Sequence, residues 1–155
     1  MNDKVQYIFI ESLEKLKKEV KSIRDEKIPE IAKKIDEAKQ LGDLSENAEY
    51  HQAKDDMAWA QGRAIEIENI LDNAEIIKEG GGNKNEVNLG SDVVVKVNGE
   101  KKEFKIVGQQ ESDPINGKIS NESPLGTQLL GAKLKEEVKV QTPGGEKIYK
   151  IIEIK

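Results

Sequence analysis

Tyr50, Ala53, Met57, Ala60, Ala64, Ile67, Leu71 and Ala74 follow one another by alternating steps of three and four. That spacing holds one apolar edge straight along a helix, and an edge so long needs a partner helix over its whole length. The partner lies upstream. Leu13, Leu16, Val20 and Ile23 keep the same step, and Ile28, Ile31, Ile35 and Ala38 resume it after a slip of phase near Pro29. Proline has no N–H to donate, so a kink or break is expected there. The alanines of the second edge let the two helices approach closely. Gly42 is the only breaker between the arms, which makes the connection short and the arms antiparallel. With about 30 residues per arm and about 1.5 Å of rise per residue, the hairpin is a rod of roughly 45 Å. Two helices alone enclose no globular core, so such a rod is suited to reaching into something.

The rest of the chain changes character. Of thirteen glycines only Gly42 and Gly62 precede Lys78, and of four prolines only Pro29 does. The run Glu79-Gly80-Gly81-Gly82-Asn83-Lys84-Asn85 resists helix and strand alike and reads as a linker. Beyond it the apolar period is two. Asp92-Val93-Val94-Val95-Lys96-Val97 runs into Asn98-Gly99, a strong hairpin turn, and then into Glu103–Val107. Glu137–Gln141 and Lys147–Ile154 flank a second turn, Thr142-Pro143-Gly144-Gly145. Between the pairs, Ser123 as N-cap, Pro124 at the first helical position and Gly131 past the end describe one short helix. The expectation is an α+β chain: a helical hairpin over residues 1–79, a linker over 80–85, and a small antiparallel sheet with one short helix over 86–155.

Composition excludes several classes of function. A hydrophobic fraction of 35% against a charged fraction of 35% is poor in apolar residues for one globule, but normal where exposed helices dilute the core. The net charge of −5 argues against a chain that binds nucleic acid through its overall charge, so any such contact is local or made through a partner. The lack of cysteine removes disulfides, thiolate metal sites and cysteine nucleophiles together. No apolar run approaches the roughly 20 residues that cross a bilayer. The first residues hold no signal-peptide hydrophobic region. A cytoplasmic, monomeric protein without a membrane partner is expected.

Chemistry concentrates at the hairpin tip, Gly42-Asp43-Leu44-Ser45-Glu46-Asn47. Gly42 can end the first arm in the left-handed conformation, Asp43 can cap the second, and Glu46 stands three residues later, as in a capping box. By spacing alone, a helix cap is the simpler reading. The functional one is that two exposed carboxylates share a hard cation such as Mg²⁺, which they would hold weakly without further ligands. His51 has no nucleophile or orienting acid arranged with it for base catalysis. Tyr50 reads as an edge residue of the helix pair. Lys33, Lys34, Lys39 and Lys54 lie toward the tip, either as solvated partners of nearby acids or as contacts to RNA phosphates. Trp59 falls off the apolar edge and has no assigned purpose. Gly80–Gly82 are followed by no Lys-Ser/Thr and make no phosphate loop.

The run from Gly42 through Ala48-Glu49-Tyr50-His51, with Ala53-Lys54 and Gln61-Gly62-Arg63, closely resembles the signature of the GreA/GreB transcript cleavage factors. A second stretch matches: Ser123-Pro124-Leu125-Gly126, Leu129-Leu130-Gly131, Val138 and Thr142-Pro143-Gly144-Gly145. Leu44 after the aspartate is more similar to the GreA branch. The resemblance implies an N-terminal coiled coil and a C-terminal FKBP-like domain. It implies docking of that domain at the rim of the RNA polymerase secondary channel through Glu122, Ser123 and Pro124, with Leu125 and Gly126 alongside. It also implies that the coiled coil enters the channel, where Asp43 and Glu46 help hold a Mg²⁺ shared with the polymerase active centre. Backtracked RNA is then cleaved, so the nascent RNA 3′ end is a further partner, with Lys39 and Lys54 as candidate RNA contacts. The chain is expected to stimulate the polymerase and to be no enzyme alone. It departs from the family pattern at Phe9, Ile28, Lys39 and Lys54.

Three other readings compete. A regulator could occupy the channel without stimulating cleavage, which leaves the two carboxylates without a role. A prolyl isomerase needs an aromatic-lined pocket, for which the second half offers only Phe104 and Tyr149. A plain helical scaffold would show no affinity for polymerase.

Overall fold

The computed structural model describes residues 4–42 and 45–155. The chain forms two units, one comprising Leu13–Asn73, the other Val5–Ser12 with Ala74–Lys155. The division falls at Asn73/Ala74, and the glycine run expected to link two domains lies inside the second unit. The N-terminal segment expected in the hairpin, Val5–Ser12, also goes with that second unit.

The first arm of the hairpin is α1 (Ile10–Ser22), a π-helical turn (Ile23–Lys27) and α2 (Ile28–Lys39). The helix does not break at Pro29. The Ile28 N–H instead donates to the carbonyl of Ile23, five residues back, and both flanking residues keep right-handed helical angles. The wider turn makes room for a ring that would otherwise press on the carbonyl four residues earlier. It also absorbs the odd residue in the apolar pattern, so Ile23 and Ile28 both face the second arm.

That second arm is α3 (Ala48–Asp72). Ile23, Ala60, Ala64 and Ile67 are buried together, with Leu16, Val20, Ile28, Ile31 and Leu71 packed against them. The apolar edge ends at Leu71 because Ala74 leaves the helix for a strand. The arms are also clamped by charge. Arg63 donates to both carboxylate oxygens of Glu19, at 2.8 and 3.1 Å, and Arg24 does the same to Glu68, at 2.9 and 3.1 Å. The hydrogen bonds from Arg63 hold the Glu19 carboxyl below its usual range, against a smaller opposing effect of burial.

In the second unit, β1 (Gln6–Ile8) and β2 (Ala74–Ile76) form a parallel pair. The main sheet contains β3 (Asp92–Val97), β4 (Glu100–Val107), β5 (Lys118–Ser120), β6 (Glu137–Thr142) and β7 (Gly145–Ile154), in the order β5-β4-β3-β7-β6. Asn98 and Gly99, at φ 52° and 79°, make the tight turn between β3 and β4. The sheet is mixed, where an antiparallel one was expected. The short edge strand β5 runs parallel to β4, because the segment after β4 crosses back before pairing. One face carries the core, with Val93, Val95, Ile106, Ile151 and Leu129 all fully buried. Leu129 comes from α4 (Pro124–Leu129), the expected short helix. The glycine run is a tight turn in contact with this unit: a Cβ on Gly81 would lie 2.3 Å from Ser91 Oγ. Among the described residues no helix is long and apolar enough to cross a membrane.

Candidate functional site

Two sets of residues were expected to carry function, the hairpin tip and the segment at α4. At the tip, Lys39 ends α2, and Gly42 follows at φ +105° in the turn. Asp43 and Leu44 lie outside the described residues. Helix α3 does not start from an Asp43 cap. Its N-cap is Asn47, whose Oδ1 accepts from the Tyr50 N–H at 3.1 Å. The Asn47 side-chain amide also donates to the Ala38 carbonyl at the end of the first arm, at 3.3 Å. One residue therefore caps one helix and ties it to the other, and this explains why asparagine serves here: aspartate could not make the second bond. The capping box expected of Asp43 and Glu46 is therefore not what starts α3. Glu46 stands before the cap, exposed, in the turn Ser45-Glu46.

The first turns of α3 are ordered around the tip. The His51 ring lies 3.3 Å from the Ser45 carbonyl and edge-on to Tyr50, with ring centres 5.6 Å apart. Lys54 Nζ sits 5.4 Å from the centre of the Tyr50 ring, within cation–π range. Tyr50 thereby positions Lys54. Lys39 and Lys54 are both exposed. Trp59 is also exposed, at 64%.

At α4, Ser123 is the hub. Its hydroxyl accepts from the Gly126 N–H at 3.0 Å and donates to the Ser120 carbonyl at 2.7 Å. Gly126 is pressed so closely on that carbonyl that a Cβ would fall 1.9 Å from the oxygen. The Glu122 N–H donates to Ser120 Oγ at 3.1 Å. Glu122 and Pro124 are exposed on this rigid corner, and Leu125 is half-buried. Beside it opens a hollow of about 290 Å³ whose lining includes Pro114, Ile119, Pro124, Leu125, Pro143 and Tyr149. Ile115, next to Pro114, is 96% exposed. The apolar hollow and Ile115 were not singled out from sequence, where Pro114, Pro124 and Pro143 lie far apart and only the fold gathers them.

The chain matches two family models, "Transcription elongation factor, N-terminal" over residues 6–76 and "Transcription elongation factor, GreA/GreB, C-term" over residues 82–155. It is 44% identical to transcription elongation factor GreA of Halalkalibacterium halodurans, covering 99% of this chain and 98% of that one. The chain belongs to the GreA/GreB family of transcription elongation factors. GreA of Bacillus subtilis (strain 168) is likewise 44% identical, over 98% of both chains. The crystal structure of GreA factor homolog 1 (Gfh1) of Thermus thermophilus covers 98% of this chain and 99% of that one, at 25% identity and a TM-score of 0.45. Of the signature residues that the structure describes, Asn47 caps α3, and Ser123 with Gly126 forms the corner at α4.

Proposed function

We propose that this chain binds RNA polymerase, enters its secondary channel with the helical hairpin, and stimulates the polymerase's own cleavage of backtracked RNA, so that arrested complexes resume. In this reading the hairpin is a coiled coil that delivers the tip. The sheet unit is FKBP-like and docks at the channel rim through Glu122, Ser123 and Pro124, with Leu125 and Gly126 keeping the corner in shape. The exposed Pro124 and Ile115 beside an apolar hollow support a docking role, since exposed apolar groups around a hollow favour a protein partner.

The observation that carries the proposal is the identity of the α3 cap. Asn47 takes the capping duty, so Glu46 is left as an exposed carboxylate at the end of the hairpin. Among the described residues no three His, Cys, Asp or Glu side chains gather as a metal-binding group. Two tip carboxylates make a partial ligand set for Mg²⁺ rather than a complete one. Asp43 and Glu46 would hold Mg²⁺ together with ligands of the polymerase, because two carboxylates alone leave most of its octahedral shell to water. When bound, Mg²⁺ supplies Lewis-acid activation of water and of the RNA phosphodiester. The chain's own part is to bring two carboxylates to the place and to hold them there, with Asn47 fixing the base of the loop. Lys39 and Lys54 contact RNA phosphates without reading sequence. A regulator that only blocked the channel would have no use for a carboxylate released from capping.

The test is a halted, backtracked polymerase complex incubated with the wild-type chain, with Asp43→Asn and with Glu46→Gln. The wild type is expected to accelerate RNA cleavage, and each variant to bind without accelerating it. Equal cleavage by all three would remove the catalytic reading.

A further inference from the structure

Trp59 is the chain's single tryptophan. It sits in the interior of α3, 64% exposed. A tryptophan side chain buries on the order of 200 Å² when covered, so leaving most of it in water forgoes one of the largest single gains a helix can make. The indole borders a hollow of about 280 Å³ between the arms. Ile31 and Ala60 supply its apolar lining, and Lys27, Glu30, Lys34 and Asp56 surround them. Lys34 and Asp56 also line a larger hollow, of about 830 Å³, that includes Leu41 and Ala48 at the tip. One continuous face of the hairpin therefore runs from Trp59 to the end of the rod.

We propose that Trp59 anchors a protein–protein contact, seating against a polymerase surface that presents an apolar side chain ringed by charges of both signs. The proposal rests on the polymerase reading above and adds to it a residue away from both the tip and the α4 corner. Charge selects the partner. Two lysines on the rim are matched by two carboxylates, so a phosphate backbone laid in the hollow would meet Glu30 and Asp56 as well as the cations. A protein surface with both signs can satisfy all four. An aromatic over an aliphatic floor inside a polar rim is also the composition that concentrates binding energy at protein interfaces. Continuity adds a geometric reason, because any channel wall that surrounds the tip also flanks the face leading to it.

Affinity for core polymerase tests this, measured by competition against labelled wild-type chain. Trp59→Ala is expected to bind at least about tenfold more weakly, and Trp59→Phe to stay within roughly threefold of wild type, as for an aromatic anchor. Thermal unfolding of the free Trp59→Ala chain is expected to match wild type, because the side chain is largely exposed, so a loss of affinity reports the contact. Wild-type affinity in Trp59→Ala overturns the proposal while leaving the polymerase reading intact. A wild-type chain that fails to bind polymerase overturns both. A second arm uses Trp59 emission in the free chain, titrated with a single-stranded oligoribonucleotide. Unchanged emission is expected, whereas saturable quenching would make the partner a nucleobase and refute the assignment to protein.

Discussion

Asn47→Ala removes two bonds at once, and the geometry allows the loss to be apportioned. The capping bond to the Tyr50 N–H, at 3.1 Å, is worth about 1 kcal/mol. The amide bond to the Ala38 carbonyl is longer, at 3.3 Å, and half-exposed, so about 0.5 kcal/mol is appropriate. Together they make ~1.5 kcal/mol, or roughly a tenfold change in the equilibrium that opens the tip. Amide hydrogen exchange reads that equilibrium locally, and the Tyr50 amide is the reporter. Its protection is expected to fall roughly tenfold in Asn47→Ala, while the amides of Ala60, Ala64 and Ile67, whose side chains are buried against the first arm, stay unchanged. Asn47→Asp separates the two bonds. It keeps an acceptor at the cap and loses the donor to Ala38, so protection should fall by only about twofold. Unchanged protection in Asn47→Ala, or equal damage from both variants, would refute the assignment of Asn47 as cap and tie.

Acid is expected to weaken the hairpin in part through Glu19. Its folded-state pKa lies below the ordinary 4.5, so the stability it contributes is present above that value and is lost as pH falls through the lower, folded one. Denaturant unfolding of the wild type and of Arg63→Gln should differ at neutral pH, by no more than about 1 kcal/mol because the pair is partly exposed, and converge as pH falls below the ordinary 4.5 and through the lower folded-state value. Gly126→Ala forces a Cβ onto the Ser120 carbonyl and should lower the melting temperature of the sheet unit, with a loss of about 2 kcal/mol or more. Pro124→Ser should leave that melting temperature nearly unchanged and weaken polymerase binding, as measured by competition; unchanged affinity would exclude Pro124 from the docking surface.

Much of the fold was legible because its signals are periodic. The three-and-four spacing named both arms of the hairpin, and Asn98-Gly99 with Ser123-Pro124 marked a turn and a helix start that the structure contains. Elements below the length of a period were not legible. Gln6–Ile8 and Ala74–Ile76 are three residues each and, among the described residues, pair with one another although the whole hairpin separates them in sequence. Lys118–Ser120 is equally short, and its parallel pairing follows from the route of the preceding turns rather than from its residues. Glycine is ambiguous in itself: the run at Gly80–Gly82 could be a loose linker or a tight turn, and the close packing of Gly81 on Ser91 decides for the turn. The five-residue step from Ile23 to Ile28 did hold the information for the π-helical turn, although proline drew the reading toward a kink. At the tip, Asp43 with Glu46 satisfied a capping rule that Asn47 satisfies in fact. Sequence spacing could not choose between them, because the choice rests on Asn47 reaching Ala38 on the other arm.

The central claim is that the tip is a partial metal site completed by the polymerase. It is tested most directly by the Mg²⁺ dependence of RNA cleavage in backtracked complexes, measured with polymerase alone, with the wild-type chain, and with Asp43→Asn or Glu46→Gln at saturating concentration. The wild-type chain is expected to lower the Mg²⁺ concentration at half-maximal cleavage, and both variants to leave it at the value for polymerase alone. A wild-type chain that accelerates cleavage with no change in the Mg²⁺ requirement, or a variant that lowers it as the wild type does, would contradict the claim.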